Sequence, residues 1–216
     1  SPPSNAPSLV PRGLDVPPEK RDPRGNFRFF ENRQKYLLFV HTCSEKRVIA
    51  ERVGLELASL HPRPPALRVF DAGVGDGTVL ARVMRSMHGR FPHMPFYIAG
   101  KELSLEDVRL TLDKVPDRLF EHPATVFVLT NMYYAEAPWL TPNSVAAATS
   151  LVWHELSLSG NTSHEFEQQI TALQPFLADV VHVGEAEQVP GDFARGIVAT
   201  VFAQSVHARD IESLYP

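Results

Sequence analysis

The sequence predicts a three-layer α/β fold, in which helices cover both faces of a largely parallel sheet. After residue 65, short apolar runs alternate with amphipathic helical patterns, which is the usual sequence form of such a sheet. A glycine-rich stretch, FDAGVGDGT, joins the first apolar run to the first helical pattern. The length of 216 residues and the hydrophobic content of 44% suit a single core of ordinary size. We therefore expect one α/β domain over residues 66–216.

Periodicity and capping residues predict the individual elements of this domain. The apolar runs predict strands at 67–72, 96–99, 125–129, 145–153, 180–183 and 197–202. The helix after the glycines has one apolar side, made of Val79, Leu80, Val83, Met84 and Met87. Two later helices are predicted to begin at capping pairs, Ser104 with Asp107 and Thr162 with Glu165. One clear strand follows residue 183, so either the last strand is irregular or the chain is truncated at its C-terminus.

Two further segments are predicted before the α/β domain. Residues 1–26 form a flexible arm, because their many prolines and few large apolar side chains cannot offset the entropy of ordering. Residues 27–65 form a helical extension that ends at the prolines of 62–65. Within it, residues spaced by four, four and three positions predict a buried face, made of Ile49, Val53, Leu57 and Leu60.

Composition restricts the class of protein. The net charge of −4 argues against a surface built mainly for nucleic acid, and no apolar run approaches the ~18 residues that cross a bilayer. A single cysteine, Cys43, excludes an intrachain disulfide and a cysteine-rich metal site. We expect a cytoplasmic protein with no metal and no membrane segment. The acidic balance favours a small-molecule partner over protein or RNA, and nothing predicts the oligomeric state.

The glycine-rich stretch predicts a ligand site with an exposed backbone. Gly73, Gly75 and Gly77 permit positive φ and let a ligand approach without meeting a β-carbon. A triphosphate loop is excluded because no Gly-Lys-Ser/Thr follows. A dinucleotide loop stays open, although its glycine spacing differs from the GxGxG found here. Asp71, just before the glycines, would repel a pyrophosphate and attract a cationic group.

Together these residues resemble a known family. FDAGVGDGT resembles the first motif of class I S-adenosylmethionine-dependent methyltransferases, and AGKELS, at the end of the second strand, resembles their second motif. The resemblance implies a Rossmann-like methyltransferase sheet that binds S-adenosylmethionine. It implies that Glu102 takes the ribose hydroxyls, and that Asn131 and Met132 lie on the adenine side. The cofactor set is then Asp71, Gly73, Gly75, Gly77, Glu102, Asn131 and Met132.

The chemistry of methyl transfer suggests the remaining candidates. A hydroxyl or ammonium acceptor must lose a proton, and LVWHELS is predicted to place His154 at the carboxyl edge of the sheet as a base, with Glu155 as its orienting group. Tyr133, Tyr134 and Trp153 are candidates for the walls of the acceptor pocket. Two alternatives remain from other classes, namely an NAD(P)-dependent oxidoreductase and a noncatalytic interaction module with the same fold.

Overall fold

The structure is a computed structural model that describes residues 44–185 and 197–204, with side chains described for 44–179 and 199–203. Within these ranges it contains a five-stranded mixed sheet in the order β1-β2-β3-β5-β4. Strands β1, β2 and β3 are parallel, β5 is antiparallel to β3, and β4 is parallel to β5. The strands are β1 Leu67–Asp71, β2 Phe96–Lys101, β3 Thr125–Thr130, β4 Leu151–Leu158 and β5 Ile197–Gln204.

Seven α-helices accompany this sheet in the described part of the chain. They are α1 Glu45–Glu56, α2 Thr78–Arg90, α3 Leu105–Leu112, α4 Val115–Glu121, α5 Val145–Ser150, α6 Ser163–Thr171 and α7 Gln174–Glu185. The architecture is therefore α/β and compatible with a Rossmann-like fold. None of the helices in these ranges is both long enough and apolar enough to cross a bilayer.

The two faces of the described sheet are covered differently. On one face, Phe96, Ile98 and Phe127 pack with side chains from α1, α2, α3, α4, α6 and α7 in the larger core. On the other, Tyr97 and Val128 pack against the segment after β3 and the short helix α5. The prediction of helices on both faces is thus met by six helices on one side and by one helix with its preceding loop on the other.

The sequence predicted the first half of the domain well. Strands β1, β2 and β3 lie where they were expected, and α2 buries its predicted side at Leu80, Val83, Met84 and Met87. Thr162 and Glu165 form the expected reciprocal capping box at α6. At α3 the box is only half as expected, because Ser104 accepts from the Asp107 amide while its own amide donates to Glu102.

Two predicted strands differ from the structure, because all or part of each is helical. Residues 145–150 form α5, since Ser144 caps the Ala147 amide at 3.1 Å, and β4 begins only at Leu151. Residues 180–183, predicted as a strand, lie within helix α7. The predicted last strand exists as β5, but it runs antiparallel to β3 and lies between β3 and β4.

Helix α1 has the predicted spacing in a different phase. Of the predicted face, Leu57 is buried just after the helix as expected, but Ile49, Val53 and Leu60 are exposed and Ala50 is buried within the helix. Small residues let α1 approach α2 closely, because a β-carbon on Gly54 would lie 3.3 Å from the Ser86 hydroxyl. The arm at 1–26 and the extension up to residue 43 lie outside the described residues.

Candidate functional site

One row of paired residues crosses the whole described sheet. Through the strand registers, Asp71 pairs with Gly100, Gly100 with Leu129, Leu129 with Thr200, and Thr200 with His154. Because paired residues share a face, the side chains of this row lie on the helix-covered side, near the carboxyl ends of β1, β2 and β3. The row provides a scale, since each strand step is roughly 4.8 Å.

The glycine loop at 73–77 begins immediately after β1 and combines open with tightly packed positions. A β-carbon on Gly73 or Gly75 would meet nothing within 4 Å, although Gly75 has a φ of 55°. Gly77, with a φ of 75°, is different, because its β-carbon would lie 2.9 Å from the Thr111 backbone. Gly73 and Gly75 therefore leave space for a ligand to approach the loop, while Gly77 allows the loop to pack on α3.

Asp71 and Glu102 face the same region. Asp71 accepts a hydrogen bond from the Gly73 amide at 3.2 Å. Burial raises the pKa of Asp71, and the Glu102 carboxylate raises it further against the effect of the Gly73 amide. Since Glu102 accepts from the Gly75 amide at 2.9 Å, both predicted carboxylates bond to amides of the glycine loop, two residues apart.

Glu102 has a structural role in addition to its predicted one. One carboxylate oxygen accepts from the Gly75 amide at 2.9 Å, and the other accepts from the amides of Leu103 and Ser104 at 2.7 and 2.9 Å. A carboxylate has about four acceptor positions, so about one remains for a ligand hydroxyl. Glu102 thus ties the loop to the end of β2 whether or not it also contacts a ligand.

Asp76 is a carboxylate that the sequence reasoning missed. It is 5% exposed and accepts from both the amide and the hydroxyl of Thr78, the first residue of α2. Its carboxylate also contacts the Lys46 ammonium at 2.6 Å. Burial acts to raise the pKa of Asp76, but the hydrogen bonds from Lys46 and Thr78 outweigh it and hold this pKa below its usual range. A carboxylate therefore already occupies the start of α2, where a phosphate would otherwise bind.

A small open pocket lies beside Glu102, between α3 and α7. Its cavity volume is about 20 Å³, which is room for about one water molecule. Its lining is mainly apolar with polar edges and consists of Glu102, Val108, Leu129, Thr130, Asn131, Leu177, Thr200 and Phe202. The Thr200 hydroxyl is buried here and has no hydrogen-bond partner among the described residues. The structure thus brings Glu102 and Asn131 together and adds Thr200, which no sequence motif had marked.

His154 and Glu155 are not arranged as a base and its orienting group. His154 lies in the middle of β4, not at the carboxyl edge, and its ring packs at a tilt against Phe176 with 4.7 Å between ring centroids. Neighbouring strand residues point to opposite faces, so Glu155 is turned away from His154. It accepts instead from the Trp153 indole at 2.7 Å. Four strand steps separate His154 from Asp71, a distance of roughly 19 Å.

The other candidates after β3 occupy the opposite side of the sheet edge. Met132 is fully buried in the second core, so its side chain packs there and does not line the pocket. Tyr133 and Tyr134 are largely exposed. The Tyr134 ring covers Lys101, whose ammonium lies 4.6 Å from the ring centroid. Burial lowers the pKa of Lys101, and the neighbouring Glu102 opposes this.

Comparison with known proteins found no relative of this chain. No protein-family model matches the chain, and neither curated proteins nor solved structures give a match. Among the described residues, no group of three or more His, Cys, Asp or Glu side chains is placed to hold a metal ion. The fold and the site therefore define a class only, an α/β protein with a mixed sheet and a glycine loop flanked by carboxylates.

Proposed function

We propose that this protein binds S-adenosylmethionine and transfers its methyl group, with a small molecule favoured as the acceptor. The observation that carries this proposal is that Asp71 and Glu102 bond to the amides of Gly73 and Gly75, the two loop positions with open space beside them. An acidic protein of net charge −4 suits a small acceptor better than RNA. We also propose a cytoplasmic location, because the sole cysteine fits a reducing compartment.

Charge supports a cationic ligand beside Asp71. Asp71 is half-buried, and burial together with the Glu102 carboxylate raises its pKa, so its surroundings disfavour the ionised form. A sulfonium placed beside it would supply the missing positive charge. Bound S-adenosylmethionine would provide a methyl carbon already activated by this positive sulfur, so the chain needs chiefly to align an acceptor and exclude water.

The pocket beside Glu102 supports a nucleoside next to the Asp71 site. Glu102 retains about one acceptor position for a ribose hydroxyl. Beyond it, the pocket has the apolar walls Val108 and Leu177 and the polar groups of Asn131 and Thr200. Apolar walls with a few polar groups suit a heteroaromatic ring such as adenine, but the cavity of about 20 Å³ is smaller than that ring, so binding requires these walls to move apart.

The start of α2 favours this ligand over a dinucleotide. A pyrophosphate binds to free amides at a helix N-terminus, but here the Thr78 amide donates to Asp76. Asp71 and Glu102 add two further carboxylates around the same loop. An NAD(P)-dependent oxidoreductase would therefore place its most negative group beside three acidic side chains, of which Lys46 neutralises one.

In the ligand orientation proposed here, His154 is too far from the methyl group to act as the catalytic base. If Asp71 attracts the sulfonium and the pocket at Thr200 takes the base, His154 lies one strand beyond the base. It is then roughly 19 Å from the Asp71 end, too far to take a proton from the acceptor. In this orientation the methyl acceptor must approach the sulfonium near Asp71.

Calorimetry with three ligands tests the proposal. S-adenosylmethionine and S-adenosylhomocysteine should both bind, and at about 100 Kd each should stabilise the fold by about 2.7 kcal/mol. NADH should bind more weakly than either. Preferential NADH binding would reject the proposal in favour of an oxidoreductase. Binding of both adenosyl ligands without turnover on any acceptor would favour a noncatalytic module.

Asp71→Asn tests the charge argument directly. The two adenosyl ligands differ by one methyl group and one positive charge, so the substitution should weaken S-adenosylmethionine about tenfold and S-adenosylhomocysteine little. In the unsubstituted protein, Asp71 gains its charge as the pH rises through its raised pKa, so the preference for the sulfonium should grow with pH. Equal losses for both ligands, or a preference that does not change with pH, would contradict a sulfonium beside Asp71.

A further inference from the structure

Among the described residues, a short ion pair between Lys46 and Asp76 attaches the glycine loop to helix α1. Lys46, in the first turn of α1, contacts Asp76 in the loop at 2.6 Å between ammonium and carboxylate. The Lys46 side chain is 20% exposed and that of Asp76 is 8% exposed. Such a pair is screened weakly by solvent, and loss of one partner leaves a buried charge uncompensated.

Helix α3 holds the same loop from a second direction. The Thr111 hydroxyl donates to the Gly75 carbonyl at 2.9 Å, and the Lys114 ammonium donates to the Asp76 carbonyl at 2.7 Å. Lys114 compensates the Asp76 charge less directly than Lys46, because its ammonium lies 3.9 Å from the carboxylate and also bonds to two carbonyls. The loop is thus fixed from behind by α1 and α3, while Gly73 and Gly75 face open space.

Asp76 transmits the position of Lys46 to the ligand-facing part of the loop. Its carboxylate binds the amide and hydroxyl of Thr78, and so sets the start of α2. Its neighbour Gly75 donates to Glu102, one of the two carboxylates that bond to the glycine loop. A carboxylate left without Lys46 would turn toward solvent to regain hydration, which breaks the Thr78 contacts and displaces Gly75.

We propose that Lys46 is a positioning residue, which holds Asp76 and thereby keeps the glycine loop in the conformation that binds the adenosyl ligand. The effect on affinity rests on the proposed function, whereas the effect on the loop does not. Helix α1, which precedes the α/β domain in the sequence, is then a necessary part of the ligand site without contacting the ligand.

Three variants test this proposal by two measurements. Lys46→Met removes the charge and keeps most of the side-chain volume. Lys46→Met with Asp76→Asn removes both charges, and the asparagine oxygen can still accept from Thr78. Arg47→Met is the matched control, since Arg47 neighbours Lys46 on α1 and, among the described residues, pairs with the exposed Glu51 and not with the loop. The measurements are S-adenosylhomocysteine affinity by calorimetry and amide hydrogen exchange of residues 73–80 without ligand.

Lys46→Met should lower the affinity about tenfold or more and raise exchange at residues 73–80, whereas the double variant should recover most of both. Arg47→Met should change neither. If Lys46→Met does not fold, the double variant decides, and a native affinity and exchange rate there support the proposal. Equal exchange in Lys46→Met and Arg47→Met would overturn it, as would a double variant no better than Lys46→Met. Absence of binding in the unsubstituted protein would instead reject the proposed function, while the exchange data still decide the role of Lys46.

Discussion

The three glycines of the loop are equivalent in sequence but not in structure. Gly77→Ala should cost more than about 2 kcal/mol, because positive φ and a β-carbon 2.9 Å from the Thr111 backbone add together. Gly75→Ala should cost about 1 kcal/mol for φ alone. Gly73→Ala meets neither constraint, so it should leave stability nearly unchanged and weaken only ligand binding. Urea denaturation checks this order, and a Gly73→Ala loss as large as that of Gly77→Ala would contradict it.

Thr200 and Thr111 are buried threonines with opposite expected behaviour. The Thr200 hydroxyl has no partner among the described residues, so Thr200→Val should stabilise the free protein by about 1 kcal/mol and weaken adenosyl ligands. The Thr111 hydroxyl donates to Gly75, so Thr111→Val should destabilise by about 1 kcal/mol. Thermal unfolding with and without S-adenosylhomocysteine separates the two effects. Unchanged ligand affinity in Thr200→Val would show that this hydroxyl does not contact the ligand.

Sequence patterns could identify some of these residues and not others. Asp71 could be identified because it directly precedes the glycine turn, and Glu102 because AGKELS resembles the second motif of class I S-adenosylmethionine-dependent methyltransferases. Asp76 and Thr200 were missed because their importance comes from burial and from partners distant in sequence. Lys46 is 30 residues before Asp76, and Thr200 reaches the pocket only through the pairing of β5 with β3. No local pattern contains that information.

At the scale of elements, short apolar runs were the main source of error. DVVHV, in residues 179–183, satisfies strand propensity, yet it continues a helix in which Pro175 occupies the first turn, a favourable position for proline. Helix α1 was predicted with the right period and the wrong phase, because large side chains were assigned to the core. The face that packs on α2 contains Ala50 and Gly54, whose small size permits the close approach.

The contact between α2 and α4 predicts a pH-dependent stability. His88, on α2, stacks on His122 at 5.1 Å and lies 3.3 Å from Glu121, which also binds Arg118 and Arg85. Burial lowers the pKa of His88, the Glu121 hydrogen bond opposes this, and the charges of His122 and Arg118 lower it further. The unfolded chain therefore binds the proton more tightly, so stability is full above pH about 6.5 and falls below it.

His88→Phe should reduce this dependence. Urea denaturation at several pH values between about 7.5 and 5.5 measures it, since the unfolding free energy of the variant should fall less with acid than that of the unsubstituted protein. His164→Gln is the matched control, because His164 is largely exposed on α6. Among the described residues, it contacts Glu167 and Gln168 of the same helix. An identical pH profile for His88→Phe and the unsubstituted protein would exclude His88 as the source.

For the whole molecule, the order of the strands determines the direction in which a ligand lies. The sequence predicted parallel strands and a glycine loop, but the order β1-β2-β3-β5-β4 depends on long-range pairing that periodicity does not encode. This order places β5 beside β3, so the pocket gains Thr200 and Phe202 from the end of the chain. It also places β4, with His154, one strand beyond the pocket and at the far end of the row from Asp71.

The row therefore predicts an orientation that can be measured. An azidoadenosyl analogue of S-adenosylhomocysteine should bind with its base between β3 and β5, because Glu102 separates that pocket from the Asp71 end. After irradiation, mass spectrometry of the digested protein should find the label on peptides that contain Asn131 or Thr200. An excess of S-adenosylhomocysteine should remove this labelling. Label concentrated on the peptide of residues 67–82 would reverse the orientation, and it would return the methyl group to the neighbourhood of His154.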